Sequence, residues 1–261
     1  MTALWSEEAG LPENPLVVVI HGSMDRSAGM LQLSRRLDPD FRVLRYDRRG
    51  YGRSFPHPGP FTMDAQVDDL IGLLAGRRAV LIGHSYGGNV ALTAADHRPG
   101  LVAGVAVYET PLSWEPWWPG TTAGSIAVAE AGKPREAAEQ FMRRMLGVGR
   151  WEELPERTRQ ARLDEGVAMV EELADLRRNR PWIAEHITVP VVTSYGSLGA
   201  AHHRQGMQHV AAELGCPVIE LPDCRHDAPL SHPGLFRSAV VEPWLERIGA
   251  PWSGRSREPR S

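Results

Sequence analysis

Short, largely apolar runs alternate along the chain with longer stretches in which apolar residues recur at helical spacing. The runs are Leu16–Ile20 (LVVVI), Phe41–Tyr46, Ala79–Ile82, Val102–Val107, Val189–Ser194 and Pro217–Leu221. Continuous aliphatic and β-branched runs of this length fit strands buried on both faces. Between them, 28–37, 63–75 and 89–97 read as helices. In 63–75, Val67, Leu70, Ile71 and Leu74 share one stripe. A last helix is expected over about 234–248, and an edge strand near Leu4-Trp5. Strands alternating with helices predict an α/β protein with a mostly parallel, doubly wound sheet. The alternation stops after residue 111. Residues 112–185 hold no convincing strand. They hold two long helical stretches near 123–147 and 155–178, many charges, and Trp114, Trp117 and Trp118. An insertion there leaves the sheet at its C-terminal edge, where ligands bind in such folds. The expected organisation is therefore a core made of 1–111 and 186–248, a helical lid over 112–185, and a disordered tail over 249–261 that Trp252 alone could anchor.

One apolar run leads into chemistry. Ala79–Ile82 passes directly into Gly83-His84-Ser85-Tyr86-Gly87, and a helix-compatible segment follows. A serine at a glycine-pinched strand–turn–helix junction is the G-x-S-x-G nucleophile elbow in its expected context. Glycines at 83 and 87 let strand and helix close around a strained serine. The backbone N–H of Tyr86 then lies at a helix N-terminus, where developing negative charge is stabilised.

Composition narrows the picture. The 261 residues are 42% hydrophobic with a formal net charge of −3. That suits one large domain, and it implies neither nucleic acid nor an acidic membrane as a partner. The N-terminus carries Glu7 and Glu8 instead of the basic and apolar arrangement of a secretory signal. No apolar run approaches a membrane span. The two cysteines, Cys216 and Cys224, would stand about 25 Å apart on an extended strand, too far for a disulfide. A reduced, cytoplasmic protein is expected. No repeat and no metal-spaced Cys/His cluster stands out.

Four motifs in fixed order resemble the α/β-hydrolase superfamily, in its lid-bearing serine hydrolase branch. They are His21-Gly22-Ser23 after the first buried strand, Asp47 to Ser54 (D-x-R-G-x-G-x-S), the elbow, and Arg225-His226-Asp227 through His232-Pro233. The likeness covers about residues 16–248. It implies the family's sheet with a lid after its sixth strand, here 102–107. The N-terminus is too short for the family's full opening hairpin.

A serine needs a base. Among the ten histidines, His226 follows a strand, precedes the last helix and comes after the serine, as in this family. His202, His203 and His209 belong to a surface helix and its start, with a solvated face. His21 and His84 are read as braces of the site loops. The base in turn needs a carboxylate. Most of the family takes it from the loop after the strand at 189–194, but here Tyr195–Ala201 has no Asp or Glu. Some members, haloalkane dehalogenases among them, carry the acid one strand earlier. That position here is Glu109, at the end of an inner strand, where burial demands a partner. Asp223 and Asp227 are the alternatives. The oxyanion hole is assigned to the N–H groups of Tyr86 and of Ser23 or Met24. Asp47, Arg49 and Ser54 hold loops together.

These residues imply ester hydrolysis through an acyl-enzyme, with thioesters and lactones close by, on a small-molecule substrate and without a metal or organic cofactor. Dehalogenase and epoxide-hydrolase chemistry need an aspartate at the elbow, which Ser85 replaces. Met24, Trp114, Trp117 and Trp118 are the candidate substrate-binding residues, and the tryptophans either line an apolar substrate pocket or dock the lid. C–C bond hydrolysis, perhydrolysis and secondary-metabolite tailoring use similar motifs. A small-molecule binding protein on a degraded scaffold is the non-enzymatic alternative.

Overall fold

A computed structural model describes residues 3–248. The tail expected to be disordered, Trp252 included, lies outside the described residues. Strands β1 (Ser6–Ala9), β2 (Leu16–Ile20), β3 (Arg42–Tyr46), β4 (Ala79–His84), β5 (Val102–Tyr108), β6 (Val191–Gly196) and β7 (Val218–Leu221) build the sheet. It is a 7-stranded sheet in the order β1-β3-β2-β4-β5-β6-β7. β1 runs antiparallel to β3, pairing Ser6 with Tyr46; every other pairing is parallel. The edge strand starts after Trp5, not at it. The N–H of Trp5 is taken by Ser54 Oγ at 3.0 Å, and its ring lies under the Arg53 guanidinium.

Alternate residues of each inner strand enter different cores, which is why these strands read as unbroken apolar runs. Leu16, Val18 and Ile20 join Leu44, Leu81 and Val105 on one face. Helices α2 (Met63–Leu74) and α3 (Tyr86–His97) cover that face through Leu70, Val90 and Leu92. Val17 and Val19 join Val43, Val80 and Ala106 on the other. There α1 (Leu31–Leu37) packs with the C-terminal segment through Leu33, Phe236 and Trp244. Each such side chain, removed from water, contributes roughly 1.5–3 kcal/mol.

Between β5 and β6 the chain forms α4 (Ala123–Ala129), α5 (Pro134–Leu146), α6 (Val148–Glu153), α7 (Glu156–Asp164) and α8 (Gly166–Arg178). Of the two long helices expected here, the first is broken at Glu130–Lys133 and the second at Glu165, and α6 forms between them, after Gly147 and before Leu154-Pro155. Gly147 sits at φ 85°, outside helical space. The insertion shares its core with the sheet: Phe141, Trp151 and Leu173 belong to the same apolar cluster as Leu70 and Tyr86. After β6 comes α9 (Ala201–Leu214). α10 (Ala228–Ser231) precedes the expected last helix, which is itself divided into α11 (Pro233–Phe236), a π-helical stretch Arg237–Val241 and α12 (Glu242–Arg247). Pro229, Pro233 and Pro243 each lie near a helix start, where a missing N–H costs nothing. Among the described residues no helix is long and apolar enough to cross a membrane.

The strand order reverses between β2 and β4, which are neighbours paired through Ile20 and Gly83. Their C-terminal ends therefore open on the crevice where α/β sheets bind ligands. His21-Gly22 leaves one of these strands and Ser85 the other.

Candidate active site

Ser85 caps α3 at φ 53°, ψ −125°, a conformation that costs a residue with a Cβ roughly 1–3 kcal/mol. Backbone bonds hold it there. Its N–H donates to the Tyr108 carbonyl at 2.9 Å, and its carbonyl accepts from the Gly88 N–H at 2.9 Å. A Cβ on Gly87 would come within 2.3 Å of the Ile20 carbonyl oxygen, and one on Gly83 within 2.5 Å of the Gly88 Cα. Only glycines permit the helix to start this close to the sheet. The N–H groups of Ser23, Met24 and Tyr86 find no acceptor among the described residues. Met24 is itself left-handed, at φ 58°.

Glu109 follows β5, is fully buried, and has φ 45°. Its Oε2 accepts from His226 Nδ1–H at 2.7 Å, and its Oε1 accepts from the Gly196 N–H at 2.9 Å. With the proton on Nδ1, the Nε2 lone pair of His226 stays available. The loop after β6, empty of acids, plays a different part. It supplies the Gly196 donor, and it makes room: a Cβ on Gly199 would lie 2.4 Å from Glu109 Oε1. Neither Asp223 nor Asp227 bonds to His226 among the described residues. The Asp223 N–H donates to Ser197 Oγ, and the Asp227 carbonyl caps the turn at Leu230 and Ser231.

His84 and His21 brace loops. His84 Nε2–H donates to the His226 carbonyl at 2.8 Å. Burial, and then the neighbouring His226, push its pKa down to about 3. His21 accepts the Arg48 N–H on Nε2 at 2.9 Å and donates from Nδ1 to the Gly22 carbonyl at 2.8 Å. Burial first, then the Arg48 charge, hold it well below the usual histidine range. Tyr108 Oη donates to the Arg225 carbonyl at 2.7 Å, fixing the loop that carries His226.

His203 departs from the solvated face expected of it. Its ring stacks on His226, with centroids 4.5 Å apart and planes 21° from parallel. His202 packs beside it at 4.4 Å, and Trp118 lies 4.8 Å from His202. Burial, followed by the charges of His226, His202 and His84, keeps His203 well below its usual pKa. The spacing held the signal: His203, Gly206, Met207 and Val210 form the inward stripe of α9.

The D-x-R-G-x-G-x-S turn contains another feature that sequence reasoning missed. Asp47 accepts from the N–H groups of Ser27 and Arg53, and Arg49 forms a forked pair with Asp69. Arg48, the variable position of the motif, is fully buried and pairs with Glu172 of α8 at 2.6 Å. Glu172 also accepts from Ser23 Oγ at 2.6 Å, Tyr51 Oη at 2.6 Å and Gln66 Nε2 at 3.2 Å. The Arg48 guanidinium lies over the rings of Tyr51 and Tyr86. One carboxylate of the insertion thus ties together the loop after β2, the turn after β3 and α2. A second tie lies beside it: Arg162 donates to the Met24 carbonyl, while Glu165 accepts from Arg26 and from the Gly52 N–H. Glu172 lies on the apolar stripe of α8 between Ala168 and Leu176. A charge on a buried stripe demands a partner, and that was the available clue.

Of the tryptophans, Trp118 reaches the histidine row beside His226. Trp114 packs edge-on against Trp182, whose Nε1–H donates to Asn89 of α3. Trp117 packs on Trp118 and on His209. The rings of Trp114 and Trp117 dock the insertion and make no ring contact with His226 among the described residues.

The chain is similar to known proteins. The model of the alpha/beta hydrolase family matches residues 17–239. Pimeloyl-[acyl-carrier protein] methyl ester esterase of Pectobacterium atrosepticum is 28% identical over 92% of this chain and 98% of that protein. Lipase LipV of Mycobacterium tuberculosis is 29% identical over 59% of this chain and 58% of its own length. Matches to several curated relatives span only 34% to 58% of those proteins. A thermophilic esterase from Thermogutta terrifontis superposes with a TM-score of 0.75 at 25% identity, covering 94% of this chain and 93% of that one.

Proposed function

The chain belongs to the alpha/beta hydrolase family, and from that premise we propose that it is a serine hydrolase cleaving a carboxylic ester of a small, apolar molecule. Thioesters and lactones fall within the same chemistry. Ser85 Oγ attacks the acyl carbonyl while His226 Nε2 takes its proton. Glu109 holds the Nδ1–H tautomer and stabilises the imidazolium that forms. The N–H groups of Tyr86 and of Ser23 or Met24 receive the oxyanion; one such donor is worth roughly 2.7–4 kcal/mol of barrier. His226 then protonates the leaving alcohol and activates water to release the acid.

The observation that carries this reading is the 2.7 Å bond between Glu109 and His226, made across 117 positions of sequence. The esterase relatives support the ester as the bond cleaved. Trp118 beside the histidine row supports an apolar acyl or alcohol group. The test is turnover of p-nitrophenyl esters of graded chain length by the wild type and Ser85→Ala. Hydrolysis that persists in Ser85→Ala would end the proposal.

A further inference from the structure

The row of rings over His226 brings together more than a base and its carboxylate. Glu109, His203 and His226 each present one ligand atom, and these three atoms lie within 4.8 Å of one another. They come from three separate places: the turn after β5, the first turn of α9 and the loop after β7. His203 Nδ1 is buried and finds no hydrogen-bond partner among the described residues.

We propose that these three side chains form an inhibitory site for a divalent transition-metal ion of the zinc type. Two imidazole nitrogens and one carboxylate oxygen, with a fourth position left for water, are a donor set that zinc favours. Magnesium and calcium prefer oxygen cages, which this cluster is not. Zinc–ligand distances of about 2.0–2.2 Å in a tetrahedron put ligand atoms roughly 3.3 Å apart. The Glu109–His226 pair, now at 2.7 Å, opens by a few tenths of an ångström, and the His203 ring turns inward. An ion seated between Glu109 and His226 takes the Nδ1 lone pair. The single proton of the neutral ring then resides on Nε2, and the lone pair that would accept the Ser85 proton is gone. Glu109 stays anionic, and no net proton is lost. Binding does not depend on the hydrolase reading; the inhibition does.

Binding is therefore measured without catalysis. Ser85→Ala protein is titrated with zinc against a chromophoric chelator, alone and combined with His203→Gln or His203→Cys. One ion per chain is expected, weakened well beyond roughly tenfold by His203→Gln and restored by the cysteine thiolate. Absence of zinc binding, or equal affinity with and without His203→Gln, overturns the site. Should the Gln variant lose its native melting transition, the ring resonances of His203 and His226 in the parent protein decide: both shift on zinc addition if the site is right, and both stay unmoved if it is wrong. In wild-type enzyme, zinc slows ester turnover, a chelator restores it, and His203→Gln shifts the inhibitory concentration upward by the same factor as the binding constant. A wild type without Ser85-dependent turnover defeats the hydrolase reading and leaves the zinc titration standing.

Discussion

At the residue scale, three side chains sit at left-handed φ where the chain turns into the site: Met24, Ser85 and Glu109, at 58°, 53° and 45°. Strain of this kind persists only where the surroundings over-determine it. For Glu109 the surroundings are the Gly196 donor and the space left by Gly199. Gly199→Ala is expected to displace the carboxylate and lower kcat about 100-fold, the scale of an ångström of misplacement, with the melting temperature nearly unchanged. Steady-state kinetics beside a thermal melt check this. Glu109→Gln is expected to cost roughly 10,000-fold in kcat by favouring the wrong histidine tautomer. Asp223→Asn and Asp227→Asn should leave it near wild type. The strained turn at Ser85 and the loop that carries His226 could be read from the chain because their motifs are local. Glu109 could be read because an acid ending a buried strand needs a partner. Arg48, Glu172 and His203 went unread because their partners lie far away in sequence, although each of the last two sits on an apolar stripe.

At the scale of elements, α8 is the part of the insertion that grips the core. Glu172 takes bonds from four residues, and truncating one member of a buried ion pair costs roughly 3–5 kcal/mol because the other charge is stranded. Glu172→Ala should lower unfolding free energy by about that much in urea denaturation. Exposed Glu171→Ala on the same helix should change it by less than about 0.5 kcal/mol. Equal effects would mean that Arg48 is satisfied elsewhere. The inner strands β2, β4 and β5 were legible because both faces are buried and nearly every residue is apolar. The helices of the insertion were legible only as helical composition. Their break at Glu165 is marked by Gly166 alone, where a Cβ would lie 2.2 Å from the Pro134 carbonyl oxygen; the Glu165 carboxylate is drawn to Gly52 and Arg26.

At the scale of the molecule, buried neutral histidines make the fold acid-sensitive. The folded pKa of His84 lies near 3 against an ordinary 6.5, and that of His21 is depressed as well. Below pH 6.5 the unfolded chain takes up protons that these rings refuse. Stability is complete above that pH and falls on acidification by about 1.4 kcal/mol per pH unit for each histidine. Asp25, pushed up to about 6 by burial, has the opposite sign: it favours the folded state as pH drops from 6 toward 4. Two histidines outweigh one carboxyl, so the melting temperature should fall steadily from pH 6.5 to 4.5. His84→Gln, which keeps a donor for the His226 carbonyl, leaves one histidine against Asp25 and should remove most of the slope between about pH 6 and 4.5. A flat wild-type profile would mean that these rings titrate normally.

Every proposed step of catalysis turns on Ser85 as an activated nucleophile. The direct measurement is reaction with a fluorophosphonate followed by mass spectrometry of the digested protein. A single phosphonyl adduct on the peptide containing Ser85, absent in Ser85→Ala and slowed severalfold or more in both His226→Ala and Glu109→Gln, is the predicted result. Ester turnover by a protein that carries no adduct, or carries it on another residue, would contradict the account.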